Sequence, residues 1–164
     1  MKPKSFFKHA VLVVSILLTI SSNTIAQTLL TLEQQAAIED TIKQLARVVE
    51  ESAKQLNPDG SFNLFSDDPD FTFSEDGYIK PPKDSLYKIM KPVYANFSEI
   101  FMSYETMRVT VLNECSGFFT GEGPWSATDI SGNKMGGHLV SMFVFVKREN
   151  KWKMIHGHTS HTFE

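Results

Sequence analysis

The stretch Met135–Ser160 limits what this chain can fold into more than any other. Two apolar runs flank the charged tetrapeptide Arg148-Glu149-Asn150-Lys151, the pattern of an antiparallel hairpin. Asn150 tolerates the left-handed conformation a tight turn demands. Side chains alternate along a strand, so Trp152, Met154, His156, His158 and Ser160 are expected on one face of the second strand. Pairing Arg148 with Lys151 puts Leu139, Phe143 and Phe145 of the first strand on that face too. Aromatics at one end and imidazoles with a hydroxyl at the other make a wall suited to a ligand pocket. The expected pocket is Phe143, Phe145, Trp152, Met154, His156, His158 and Ser160, with Tyr94 from an upstream helix.

That helix is one of two. Thr31-Leu32-Glu33-Gln34 fits a capping box, and Ile38, Ile42, Leu45, Val49, Ala53 and Leu56 then recur at three- and four-residue steps. Asn57-Pro58-Asp59-Gly60 ends this first helix, and a single helical turn is expected within Ser61–Ser66. Phe71-Thr72-Phe73 reads as a short strand between turns at Asp67–Asp70 and Ser74–Gly77. Asp84 is positioned to cap the second helix, whose apolar stripe runs from Leu86 through Tyr94 to Phe101. Pro92 predicts a kink or break near Met90-Lys91. From Ser103 onward the period is that of strands. Tyr104–Cys115 and Phe118–Ile130 precede the hairpin, with a bend expected at Gly136-Gly137.

The 164 residues suffice for one domain. Lys2, Lys4 and Lys8 precede an apolar run from Ala10 to Ile20, and small residues end at Ala26. This is the order of a secretory signal peptide, and the run is short for a membrane span. Residues 1–26 are therefore expected to be cleaved, leaving 27–164 as one secreted or periplasmic domain with no stable membrane anchor. Removing three Lys and no acid takes the net charge from −3 to −6. That balance disfavours nucleic acid as a partner. Cys115 stands alone and is expected to be buried as a small apolar residue. Three aspartates in Asp67–Asp70 do not extend to an EF-hand, since Thr72 and Tyr78 occupy the Gly and Glu positions.

Helices followed by a run of strands predict an α+β fold, with helices on one side of a strongly bent antiparallel sheet. The chain resembles the nuclear transport factor 2-like (NTF2-like) superfamily, and within it the SnoaL-like and DUF4440-type group. Ser66–Phe71, Ala127–Gly132 and the closing Asn150–Ser160 carry the resemblance. It implies an NTF2-like cone whose concave face lines an opening. The superfamily holds ketosteroid isomerase, scytalone dehydratase, polyketide cyclases and many non-enzymatic members, so the fold leaves function open.

The chemistry therefore rests on the histidines. His156 and His158 are the candidate catalytic residues, because a neutral imidazole both takes and gives a proton near neutral pH. Two imidazoles spaced by two also suit a metal, but zinc needs a third ligand, and neither His138 nor His161 has the right parity. No metal site is expected. No glycine-rich phosphate loop follows a strand, so no cofactor is expected either. Three readings stay open. The protein binds a small, partly apolar molecule in its cone; or it is an isomerase, dehydratase or cyclase with His156 or His158 as general acid/base; or it is a non-catalytic accessory domain. A homodimer is expected through the strip Val140, Met142, Val144 and Val146.

Overall fold

The computed structural model describes residues 30–164. The expected signal peptide and its cleavage after Ala26 lie outside the described residues. Among the described residues, no helix is long and apolar enough to cross a membrane.

Helix α1, Leu32–Lys54, begins at a complete capping box. Thr31 accepts the Gln34 N–H, and the Gln34 side chain accepts the Thr31 N–H. The helix presents Ile42, Ala46 and Ala53 to the core. Asn57 caps α2, Pro58–Leu64, by accepting the Asp59 N–H. Asn57-Pro58 thus starts a second helix where the sequence suggested only a stop, because proline fits the first helical position. Helix α3 is Lys83–Tyr94. Its cap is Pro82, with no side-chain cap bond, so Asp84 does not serve as one.

The expected long second helix is two elements. It stops two residues after Pro92, and Phe97–Met102 is strand β3, paired with residues 125–129. The apolar residues of the expected stripe still share one destination. Met90, Val93 and Tyr94 from the helix and Phe97, Ile100 and Phe101 from the strand all line the same cavity.

The sheet has seven strands: β1 Thr72–Glu75, β2 Tyr78–Ile79, β3, β4 Thr106–Asn113, β5 Ser116–Asp129, β6 Lys134–Arg148 and β7 Lys151–His161. Their order is β2-β1-β7-β6-β5-β3, and β4 pairs with the first half of β5. The sheet is mixed, since β1 runs parallel to β7 while the other pairings are antiparallel. The β6–β7 hairpin forms as read, with Arg148 opposite Lys151 and positive φ at Glu149 and Asn150, the left-handed pair a two-residue turn prefers. The result is the α+β cone: among the described residues, three helices on a curved sheet, with Ile42, Phe119, Leu139, Phe143, Phe145 and Met154 at its centre.

Cys115 is not buried as expected. It is exposed in the β4–β5 turn, where its N–H is bound by Asn113 Oδ1 at 2.8 Å. The alternating stretch that leads up to it suggested a strand interior, but β4 ends at Asn113 and the chain reverses there.

Candidate functional site

A cavity of about 410 Å³ lies between the sheet's concave face and the helices. Its walls are mostly aromatic and aliphatic. The polar side chains that reach it are few: Ser61, Glu75, Asp76, Tyr94, Tyr104, Thr159 and His161. One end is a buried floor, with Tyr104, Leu139 and Phe143 each about 1 % exposed. The other is an open rim, where Phe101, Met135 and Phe163 are exposed.

The structure sorts the expected pocket residues into two sets. Phe143, Met154 and Tyr94 line the cavity. Phe145 is buried in the core without lining it, and Trp152 packs against the core from its margin. His156, His158 and Ser160 are on the outer face of β7 and do not line the cavity. The cause is a β-bulge. Val144 pairs with His156 but Phe145 pairs with Met154, so Ile155 is an extra residue. Every side chain beyond it changes face. Gly157, Thr159 and His161 therefore point inward. Gly157 is there because the Phe73 ring occupies the space a Cβ would take, 2.5 Å away.

His158 Nδ1 is engaged outside, 2.9 Å from Ser74 Oγ. His138, also on the outer face, approaches Glu122 at 3.7 Å. Among the described residues, no three His, Cys, Asp or Glu side chains gather in a metal-binding arrangement.

The inward histidine is His161, which the period-two reading had turned outward. Its Nδ1 is 3.1 Å from both carboxylate oxygens of Asp76, and its backbone N–H donates to Asp76 Oδ1 at 2.8 Å. Asp76 in turn donates its N–H to the Thr159 carbonyl at 3.1 Å. It sits at φ 50 ahead of Gly77 at φ 85, the Asp-Gly turn that closes β1 onto β2. A carboxylate only accepts, so the proton is on Nδ1 and Nε2 is left as the ring nitrogen open to a bound molecule. The imidazole packs edge-on against Trp125, with centroids 4.9 Å apart. The sequence trace of this pair is the Asp-Gly turn itself, together with the fact that β1 runs beside β7.

Two tyrosines face this space. Burial, with the Glu75 carboxylate adding to it, pushes Tyr94 up to about 12. Burial pushes the Tyr104 phenol higher still, and the neighbouring Ser141 hydroxyl offsets part of that. Both are neutral donors at ordinary pH. Tyr104 is seated by two close approaches. Its N–H donates to Glu50 Oε1 at 3.2 Å, and the Ser103 carbonyl beside it lies where a Cβ on Gly123 would be, 1.9 Å away.

A helix-filled, curved-sheet cone with one apolar, rimmed cavity is the architecture of NTF2-like proteins. The chain belongs to the SnoaL-like domain family, whose model matches residues 35–164. Its fold is similar to an NTF2-like superfamily protein from Salmonella enterica (TM-score 0.69, 14% identity, covering 77% of this chain and 92% of that one). It is similar to a candidate scytalone dehydratase from Novosphingobium aromaticivorans (0.72, 11%, 80% and 89%). It is also similar to a type 3 hexachlorocyclohexane dehydrochlorinase from Novosphingobium barchaimii (0.68, 12%, 82% and 93%). Among curated proteins, none matches the chain significantly.

Proposed function

We propose that the protein binds a small, partly apolar molecule inside the cone. The observation that carries this reading is the cavity: about 410 Å³, walled by aromatic and aliphatic side chains, with a handful of polar groups turned into it. That combination is what small-molecule sites have in common. The test is thermal stabilisation by a panel of hydrophobic metabolites, with Ala127→Trp as the control. Ala127 lines the cavity and is 5 % exposed, so an indole there fills the site. A ligand present at a hundred times its Kd adds about 2.7 kcal/mol, and the filled variant gains none. Equal stabilisation of both proteins overturns the reading.

A second reading is favoured by one specific contact, the Asp76–His161 pair. In it the protein is a proton-transfer enzyme of the isomerase, dehydratase or eliminase kind. Nε2 of His161 takes a proton from carbon, the C–H electron pair forms a new C=C bond, and the leaving group departs with its electrons. Asp76 holds the imidazolium that results. His161 thereby takes the role the sequence suggested for His156 or His158, which stand on the far face of the sheet.

Export rests on the basic, apolar and small-residue order of residues 1–26. Homodimerisation rests on Val140, Met142, Val144 and Val146, which share the outer face of β6. Met142 is 37 % exposed there.

A further inference from the structure

Three hydroxyls meet at the cavity floor. Ser141 and Thr159 are directly opposite on β6 and β7, and their side-chain oxygens are 3.1 Å apart. Ser141 is fully buried, and Thr159 lines the cavity. Tyr104 adjoins Ser141 and also lines the cavity, yet among the described residues its hydroxyl, sealed from solvent, makes no hydrogen bond of proper geometry. Each hydroxyl carries one donor hydrogen. Three hydrogens and one mutual bond leave the set with donors to spare in an otherwise apolar wall, and a buried donor without a partner is costly.

The acids near the cavity give the complementary information. Glu75 is paired with Lys80 at 2.8 Å, and Asp76 with His161. Among the described residues, no Lys or Arg lines the cavity. A bound carboxylate would therefore be desolvated beside two acids with no cation free to meet it.

Building on the pocket reading above, we propose that the Tyr104–Ser141–Thr159 hydroxyl cluster recognises an uncharged hydrogen-bond acceptor, a ketone or similar carbonyl oxygen, and that the site selects neutral over anionic ligands. Thr159 delivers the contact. When the acceptor binds, the unpartnered Tyr104 O–H turns to the adjoining Ser141 oxygen and Ser141 donates into Thr159, which leaves the Thr159 O–H directed at the cavity. Thr159 and His161 are two residues apart on the same face of β7, so the acceptor and the atom facing the imidazole are separated by roughly 6.6 Å along the strand. One six-membered ring spans most of that distance.

The test is equilibrium dialysis of three matched probes: 2-acetylnaphthalene, its hydrocarbon isostere 2-isopropenylnaphthalene, and 2-naphthoate. They are measured against the protein, Thr159→Val and Tyr104→Phe. Thr159→Val is expected to weaken the ketone by roughly 5- to 30-fold, the value of one hydrogen bond in a buried site, and to leave the hydrocarbon within about twofold. Tyr104→Phe removes the donor at the head of the chain and weakens the ketone by a smaller factor, again sparing the hydrocarbon. The hydrocarbon thus reports that each variant keeps its fold and cavity. 2-Naphthoate binds weakest of the three. If ketone and hydrocarbon bind the protein and both variants leave their ratio unchanged, or if the carboxylate binds tightest, the hydroxyl assignment is wrong while the pocket stands. If neither neutral probe binds, the pocket reading fails and takes the assignment with it.

Discussion

Asp76 and His161 lock together across the parallel seam between β1 and β7, backbone N–H to carboxylate at 2.8 Å and imidazole Nδ1 to the same carboxylate at 3.1 Å. The contact fixes both the ring's orientation and its tautomer, because the carboxylate offers nothing but lone pairs. Long-range ¹⁵N–¹H NMR of the resting protein is expected to show His161 protonated at Nδ1. In Asp76→Asn the amide N–H₂ offers a donor instead, and the tautomer shifts toward Nε2–H. An Nε2-protonated His161 in the unmodified protein would remove the basis for a basic Nε2.

The same contact divides the histidines by role. With a substrate that the cavity turns over, His161→Ala is expected to lower turnover by about 10²-fold or more, the usual contribution of a placed acid/base. His156→Ala and His158→Ala change it by less than about twofold. Those two variants also keep the fold, since His156 is exposed and the His158 ring is hydrogen-bonded to Ser74 outside the core. Parallel losses in all three variants would show that the bulge at Ile155 does not separate them.

Gly123 is where the chain has no room for a side chain. A Cβ there would stand 1.9 Å from the Ser103 carbonyl oxygen and 3.0 Å from the Glu105 nitrogen, and neither is the end of a flexible side chain. Gly123→Ala is expected to cost on the order of 1–3 kcal/mol in urea unfolding and to disturb Tyr104, which sits between those two residues. Gly77→Ala meets no atom but keeps a positive φ, so its cost is smaller, about 1 kcal/mol.

Tyr94 gives the protein an alkaline limit. Its folded value near 12 is raised from an ordinary 10.0 by burial and by Glu75, so the folded state holds the phenolic proton more tightly than the unfolded chain does. The contribution is complete below pH 10 and is lost as the pH rises toward 12, on the order of 1–3 kcal/mol in all. Stability measured by denaturant from pH 8 to pH 11.5 is expected to fall less steeply in Tyr94→Phe. Identical slopes would place the phenol in a more solvated setting than the structure gives it.

Association is expected to depend on the outer strip of β6. Val144→Asp buries a charge in any dimer formed there, and sedimentation at micromolar concentration should show a dimer for the protein and a monomer for the variant. A monomer for both removes the outer-face interface.

Much of this fold was legible in the sequence because it depends on local signals. The Thr31–Gln34 capping box, the stripe through Ile42 and Ala53, and the Glu149-Asn150 turn each state their conformation within a few residues. The site was less legible because it depends on parity. One extra residue, Ile155, separates Met154 from His156 in facing direction, and nothing in the run Met154-Ile155-His156-Gly157-His158 announces it by composition. Gly157 is the clue in retrospect: a glycine on an inward position, cleared for the Phe73 ring. The second helix failed for a different reason. Phe97, Ile100 and Phe101 keep helical spacing, but a strand with a bulge between Phe97 and Glu99 turns the same residues toward the same cavity. The Asp76–His161 pair joins residues 85 apart in sequence through a parallel strand pairing that no local pattern encodes.

The most direct test of the central claim is ¹³C-methyl NMR of the methionines during titration with 2-acetylnaphthalene. Met90, Met102, Met135 and Met154 line the cavity, and Met142 is on the opposite face of the sheet. With the ligand inside the cone, those four methyls shift saturably with one common Kd and Met142 stays stationary. Shifts confined to Met142, with the four cavity methyls unmoved, would contradict that claim.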